Sequence, residues 1–201
     1  EVNNLPLLER LAITKKTILL SSGMISWAEL DKAGKLLIKG NNLILMQCSS
    51  LYPCPPESVG LNVITEMQAR YDCSIGFSDH TLGHSASIAA AVLGATVIEK
   101  HVTFSKSMYG SEAAHSMEMD EFNSFCNNVK ETWNMLANRV NKSDISQYLE
   151  TKKIFEKSIV SSMPIDKESL IDLEMLSYKK PGDGILACDY HKIIGKKLKI
   201  S

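Results

Sequence analysis

Two histidines, His80 and His101, carry the clearest chemical signal in the sequence. Each closes a short apolar run, Ile75-Gly76-Phe77-Ser78-Asp79-His80 and Thr96-Val97-Ile98-Glu99-Lys100-His101. Between them, Leu82 to Ala95 is rich in Ala, Leu and Ile, which gives the pattern strand, loop, helix, strand. The carboxyl ends of neighbouring parallel strands open on one face, where α/β proteins place their chemistry. Paired imidazoles on such a face suit Mn, Fe, Co, Ni or Zn. Two ligands are an incomplete set, so a carboxylate, water or the substrate must fill the rest. Asp79 and Glu99 stand beside the histidines and are candidates to orient the rings. The alternative for either histidine is a hydrogen-bonded structural role. Ser21, Ser22, Ser49, Ser50 and Ser78 fall at three strand ends and can donate to a phosphate or carboxylate, with Gly23 and Gly76 permitting close backbone approach. Strand alternation turns Lys100 away from the side that His101 uses. Lys106, Glu112 and His115 follow in a loop that can cover the mouth, and His84 reads as a capping or packing residue.

The elements that must position these residues repeat along the chain. Apolar runs begin at Thr17, Leu43, Ser74 and Thr96, and a helical pattern separates each from the next. The runs are continuously apolar, as expected for a parallel sheet covered on both faces. Ser26 and Glu29 have capping-box spacing before a helix that carries Trp27, Leu30, Ala33, Leu36 and Leu37. Three prolines make Tyr52 to Glu57 a loop. A long amphipathic helix is expected over 119–138, with Phe122, Phe125, Val129, Trp133 and Leu136 on one side. This is a repeated βα unit, in either an open doubly wound sheet or part of a (β/α)8 barrel. Polar clusters at all four strand ends favour the barrel. A complete barrel needs about 250 residues, so the reading is the C-terminal half of a TIM barrel with four βα units visible. The amino-terminal half is expected to be missing or supplied by another chain. The domains read as 1–138 for the partial barrel, 139–153 for a polar linker, and 154–201 for a small, truncated module of short strands and turns.

Composition narrows the class. Hydrophobic residues are 44% and charged residues 22%, an ordinary soluble composition. A net charge of -1 gives no reason to expect nucleic acid or an anionic membrane as partner. No apolar stretch is long enough for a membrane span, and the start lacks a signal peptide pattern. The five cysteines have no metal or redox spacing, which favours reduced thiols and a cytoplasmic setting.

Several motifs together resemble those of the sialic acid synthases. They are Ser21-Ser22-Gly23-Met24, Gln47-Cys48-Ser49-Ser50-Leu51-Tyr52-Pro53, Gly76-Phe77-Ser78-Asp79-His80-Thr81-Leu82-Gly83 and Ile98-Glu99-Lys100-His101-Val102-Thr103. Gly110-Ser111-Glu112, Ser116-Met117-Glu118 and Lys180-Pro181-Gly182-Asp183-Gly184 follow in the same order. The resemblance, to the N-acetylneuraminate, legionaminate and pseudaminate synthases, covers nearly the whole chain. It implies condensation of phosphoenolpyruvate with an N-acylated mannosamine-type sugar and release of phosphate. It also implies a divalent metal, manganese first, with magnesium or cobalt as alternatives. By the same resemblance His80 and His101 hold the metal, and Glu1 stands beside the reacting carbons. Ser21, Ser50 and Ser78 hold phosphoenolpyruvate, and Glu112 binds the acceptor sugar. Lys180 would reach the acceptor from the partner subunit of a domain-swapped homodimer. The end of the chain resembles the start of an antifreeze-like (SAF) module.

Four positions depart from the family pattern. Glu112 stands where aspartate is common, Lys180 where bacterial members usually have arginine, Ser50 where some have asparagine, and Gln47 where histidine is frequent. The first three and a half βα units of the family have no counterpart, so this polypeptide by itself is expected to be inactive. Two alternatives remain open at this stage: another phosphoenolpyruvate-dependent barrel enzyme, and a non-catalytic remnant of the family.

Overall fold

The computed structural model describes residues 1–40 and 42–199. The chain divides into two units, Glu1–Arg139 and Val140–Ser201. In the first, four strands form one parallel sheet in sequence order: β1 (Ile18–Ser21), β2 (Leu43–Cys48), β3 (Ser74–Asp79) and β4 (Ile98–Lys100). Before β1 lies α1 (Leu5–Ala12). The helices α2 (Trp27–Leu37), α3 (Asn62–Arg70) and α4 (Ser85–Val92) connect successive strands, and α5 (Met119–Ala137) follows β4. This is the half-barrel arrangement that the repeated apolar runs predict.

Strand alternation sorts the side chains into two layers. Ile18, Leu20, Leu43, Leu45, Ile75 and Phe77 turn toward the helices and form one core with Leu30, Leu37, Ile64 and Met67. Each leucine or isoleucine buried there stabilises the unit by roughly 1.5–3 kcal/mol relative to exposure. The opposite face carries Ser21, Met46, Cys48, Gly76 and Ser78. Gly76 is required by packing, because a Cβ there would lie 2.9 Å from the backbone oxygen of Val97, which cannot swing aside as the nearby Met46 side chain can. Helix α2 begins with the expected capping box: Glu29 N donates to Ser26 Oγ, and Ser26 N donates to Glu29 Oε2 at 2.7 Å.

Three details differ from the sequence expectations. Helix α4 begins at Ser85 rather than near Leu82, because Thr81 and Gly83 give their carbonyls to Lys100. Strand β4 is only three residues long, and a parallel bridge from Val102 to Met117 continues that side of the sheet. Leu149–Phe155, which begins inside the polar segment expected to be a linker and runs past its end at 153, forms helix α6, supported by Lys152–Glu156 and Lys153–Glu150 ion pairs.

The second unit holds an antiparallel pair, β5 (Ser158–Ser161) and β6 (Leu176–Lys179). The loop after β6 is anchored through buried Ser158, whose Oγ donates to Pro181 O at 2.7 Å and accepts from Gly184 N at 2.9 Å. A strand expected at the chain's end falls partly on Ile200 and Ser201, which lie outside the described residues. No helix among the described residues is long and apolar enough to cross a membrane.

Candidate functional site

The site is built where β3 and β4 end. Asp79 and Lys100 are register partners, so His80 and His101 follow their strands at equivalent positions. Alternation returns both imidazoles to the face that carries Ser78. Their ring centroids are 5.2 Å apart at an interplanar angle of 74°. His80 Nε2 lies 4.0 Å from Cys48 Sγ, and burial pushes the Cys48 thiol pKa up. His80 Nδ1 is buried and has no hydrogen-bond partner among the described residues. His101 Nδ1 lies 3.2 Å from Glu112 Oε2. A proton on that Nδ1 leaves Nε2 with its lone pair exposed for a ligand.

Neither Asp79 nor Glu99 orients a histidine, contrary to the sequence expectation. Asp79 turns to the helix layer, where it meets Ser87 and Lys100. Glu99 accepts from Ser78 Oγ at 2.7 Å. The carboxylate that reaches an imidazole is Glu112, eleven residues beyond His101, brought back by the loop that ends at the Val102–Met117 bridge. Lys100 does lie opposite His101, as alternation predicts. Burial lowers its pKa, and the neighbouring Asp79 opposes that shift.

Tyr52 was missed as a site residue. Its ring centroid lies 5.2 Å from that of His80, 4.6 Å from His101 and 6.0 Å from His115. Its hydroxyl is 3.5 Å from Ser116 Oγ. The available signal was an aromatic residue two positions past the strand-end Ser50, at the entrance to the proline loop.

Ser22 turns outward and donates to Gln47 Oε1 at 3.2 Å. Ser50 stays at the open face, where its Oγ fills the space that a Cβ on Gly23 would take, at 2.3 Å. Ser21 is exposed at the end of β1, and Ser78 is buried. A cleft of about 720 Å³ includes Ser22, Cys48, Ser49 and Ser50, and another of about 370 Å³ includes His101, Thr103, Gly110, Glu112 and Ser116. The carboxylate of Glu1 accepts from Asn4 Nδ2 at 2.8 Å, and among the described residues no hydrogen bond or ion pair joins it to the histidines. Lys180 belongs to the second unit, where its Nζ lies 4.5 Å from the centroid of the Phe155 ring.

His80 and His101 are the residues that could hold a divalent cation, and the unpartnered His80 Nδ1 is the feature that would suit one. The protein offers two imidazoles, since no group of three or more His, Cys, Asp or Glu among the described residues is placed to hold a metal. Water or substrate would supply the remaining ligands.

Fold and strand-end residues together define a class, the α/β half-barrels with a polar site at the carboxyl edge of a parallel sheet. Within that class the chain belongs to the NeuB family, whose profile matches residues 1–141. It is 33% identical to the N,N'-diacetyllegionaminic acid synthase of Campylobacter jejuni over 200 residues, covering 98% of this chain and 60% of that protein. It is 32% identical to the human N-acetylneuraminate-9-phosphate synthase, covering all of this chain and 56% of that one. The crystal structure of the N-acetylneuraminic acid synthetase from Leptospira borgpetersenii, in complex with citrate, superposes with a TM-score of 0.67 at 27% identity. That superposition covers 75% of this chain and 54% of that one. The chain thus spans little more than half the length of these relatives.

Proposed function

We propose that this chain supplies the carboxyl-side half of the active site of a nonulosonic acid synthase. The reaction joins C3 of phosphoenolpyruvate to the aldehyde carbon of an N-acylated mannosamine-type sugar. Water adds at C2, and phosphate leaves. The observation that carries the reading is the pair of imidazoles at aligned strand ends, with one buried nitrogen unpartnered. The names of the relatives point to the same chemistry.

His80 and His101 would hold a divalent cation, manganese first. When bound, the cation supplies electrophilic activation of the sugar's aldehyde oxygen. Glu112 fixes the orientation of His101, and its exposed carboxylate can also meet the acceptor's hydroxyls. Ser21 and Ser50 present hydroxyls to the anionic groups of phosphoenolpyruvate. Ser78 joins them after its proton turns away from Glu99. Glu1 is assigned to the reacting carbons by resemblance. Aligning two polar substrates is mainly a positioning task, which several strand ends serve better than a single nucleophile. The same reading makes the second unit the start of an antifreeze-like (SAF) module. Its Lys180 would serve the acceptor site of a partner in a domain-swapped homodimer, and the protein would be cytoplasmic.

The test is phosphate release by the complete gene product with phosphoenolpyruvate, N-acetylmannosamine and manganese. Release is expected to require all three and to be lost on chelation and in His80→Ala. Release that instead requires a different aldose, with N-acetylated mannosamines inert, would assign the protein to another sugar-acid synthase.

A further inference from the structure

Each site histidine is preceded on its strand by one half of a buried ion pair. Asp79 and Lys100 are cross-strand partners, and their charged groups meet at 3.1 Å with 0% and 3% side-chain exposure. Both lie in the helix layer, opposite the imidazoles. We infer that Asp79–Lys100 is a positioning device that sets His80 against His101 by locking the two strand ends one residue before each ring. The inference rests on the histidine pair being the reactive centre proposed above.

The hydrogen bonds favour a clamp over a simple charge contact. Asp79 Oδ1 accepts from Thr81 N at 2.8 Å, and Oδ2 accepts from Ser87 Oγ at 2.5 Å. Lys100 Nζ donates to Thr81 O and, at 3.1 Å, to Gly83 O. Both backbone polar groups of the residue after His80 are therefore held by the pair. The carbonyl of His80 itself accepts from Cys54 N at 2.8 Å, and that of His101 accepts from Met117 N at 3.0 Å. The backbone around each imidazole is pinned while His80 Nδ1 stays free.

A buried ion pair is a poor choice for stability alone, because apolar residues of similar volume often stabilise a core as well or better. Its advantage here is register. A slip of one residue between β3 and β4 would turn a histidine away from its partner, and would also bury an unpaired charge. Asp31–Arg70, on the same unit, provides a control. It joins α2 to α3 with side chains 28% and 43% exposed and touches no strand end.

The experiment compares the wild-type complete gene product with Lys100→Met, Ser87→Ala and the control Arg70→Met. It measures manganese affinity by titration and the histidine ring ¹⁵N signals of the metal-free protein. Lys100→Met is expected to weaken manganese binding by about tenfold or more, the usual effect of losing an outer support of a metal site. The His80 and His101 ring signals should move or broaden, and that of His191 in the second unit should not. Ser87→Ala keeps both charges and should shift both readouts the same way by less, so it serves if Lys100→Met does not fold. Arg70→Met should leave both unchanged. Wild-type affinity and unmoved ring signals in the folded variants would reduce the pair to a structural role and overturn the inference. If the wild type binds no manganese, the metal reading fails by itself. The ring signals then decide positioning alone, with movement supporting it and constancy overturning it.

Discussion

Among its described residues the first unit contains two aspartate–cation pairs made from similar chemistry and set in opposite environments. Asp31 and Arg70 lie on the outer helical face. Arg70 Nε and one terminal nitrogen donate to the two Asp31 oxygens at 2.9 and 2.6 Å. Tyr71 Oη adds a bond at 2.8 Å, and the guanidinium lies 5.0 Å from the centroid of the Trp27 ring. Asp79 and Lys100 lie between the sheet and its helices, closed off from water. The geometry of the outer pair is the better of the two. The inner pair is the one on which the site depends, because burial removes the solvent that would screen or replace it.

The largest expected effect tests that contrast directly. Lys100→Met leaves the Asp79 carboxylate buried without its cation and is expected to cost about 3–5 kcal/mol in urea unfolding of the complete protein. Arg70→Met leaves Asp31 beside water and should cost far less, despite its bidentate geometry. Equal losses from the two substitutions would break the comparison. A smaller step sharpens it. Ser87→Ala removes only the 2.5 Å donor to Asp79. A hydrogen bond to a buried charged group is worth roughly 1.5–3 kcal/mol, so the loss should fall between those of the two charge deletions.

Much of the scaffold was legible because its signals are local. The short apolar run from Leu43 and the Ile75–Phe77 segment, each bounded by turn residues, read as buried strands, and Ser26 with Glu29 marks a helix start by spacing alone. His80 and His101 were legible for the same reason, since each closes a strand. The partners of those histidines were not. Glu112 reaches His101 across a loop, and Tyr52 reaches both rings from the proline segment after β2. Asp79 looked like a neighbour of His80, yet alternation turns it to the opposite layer, where Ser87 and Lys100 wait on other elements. Helix α6 was hidden by its polarity, because residues such as Glu150, Lys152 and Lys153 show no apolar face and support the helix through charge pairs.

The smallest expected effect separates the two pairs by pH and salt. Hydrogen bonds from Arg70 and then Tyr71 hold the Asp31 carboxyl down at about 2, from an ordinary value of 3.8. A carboxyl with a depressed folded-state pKa contributes stability that is complete above the unfolded value and disappears as pH falls through the folded one. The stability difference between wild type and Asp31→Asn should therefore be constant near neutrality, shrink from about pH 3.8 toward pH 2, and lose its pH-dependent part below. Raising the salt concentration at pH 7 should shrink it too, because the pair faces solvent. The Lys100→Met difference should be nearly indifferent to salt, since counterions cannot enter the layer between sheet and helices. Acid-limb and salt-series unfolding curves on the two variants measure both behaviours. A salt-sensitive Lys100→Met difference would mean that water reaches the inner pair. The two sites would then differ only in degree, and the clamp on the histidine-bearing strand ends would lose its physical basis.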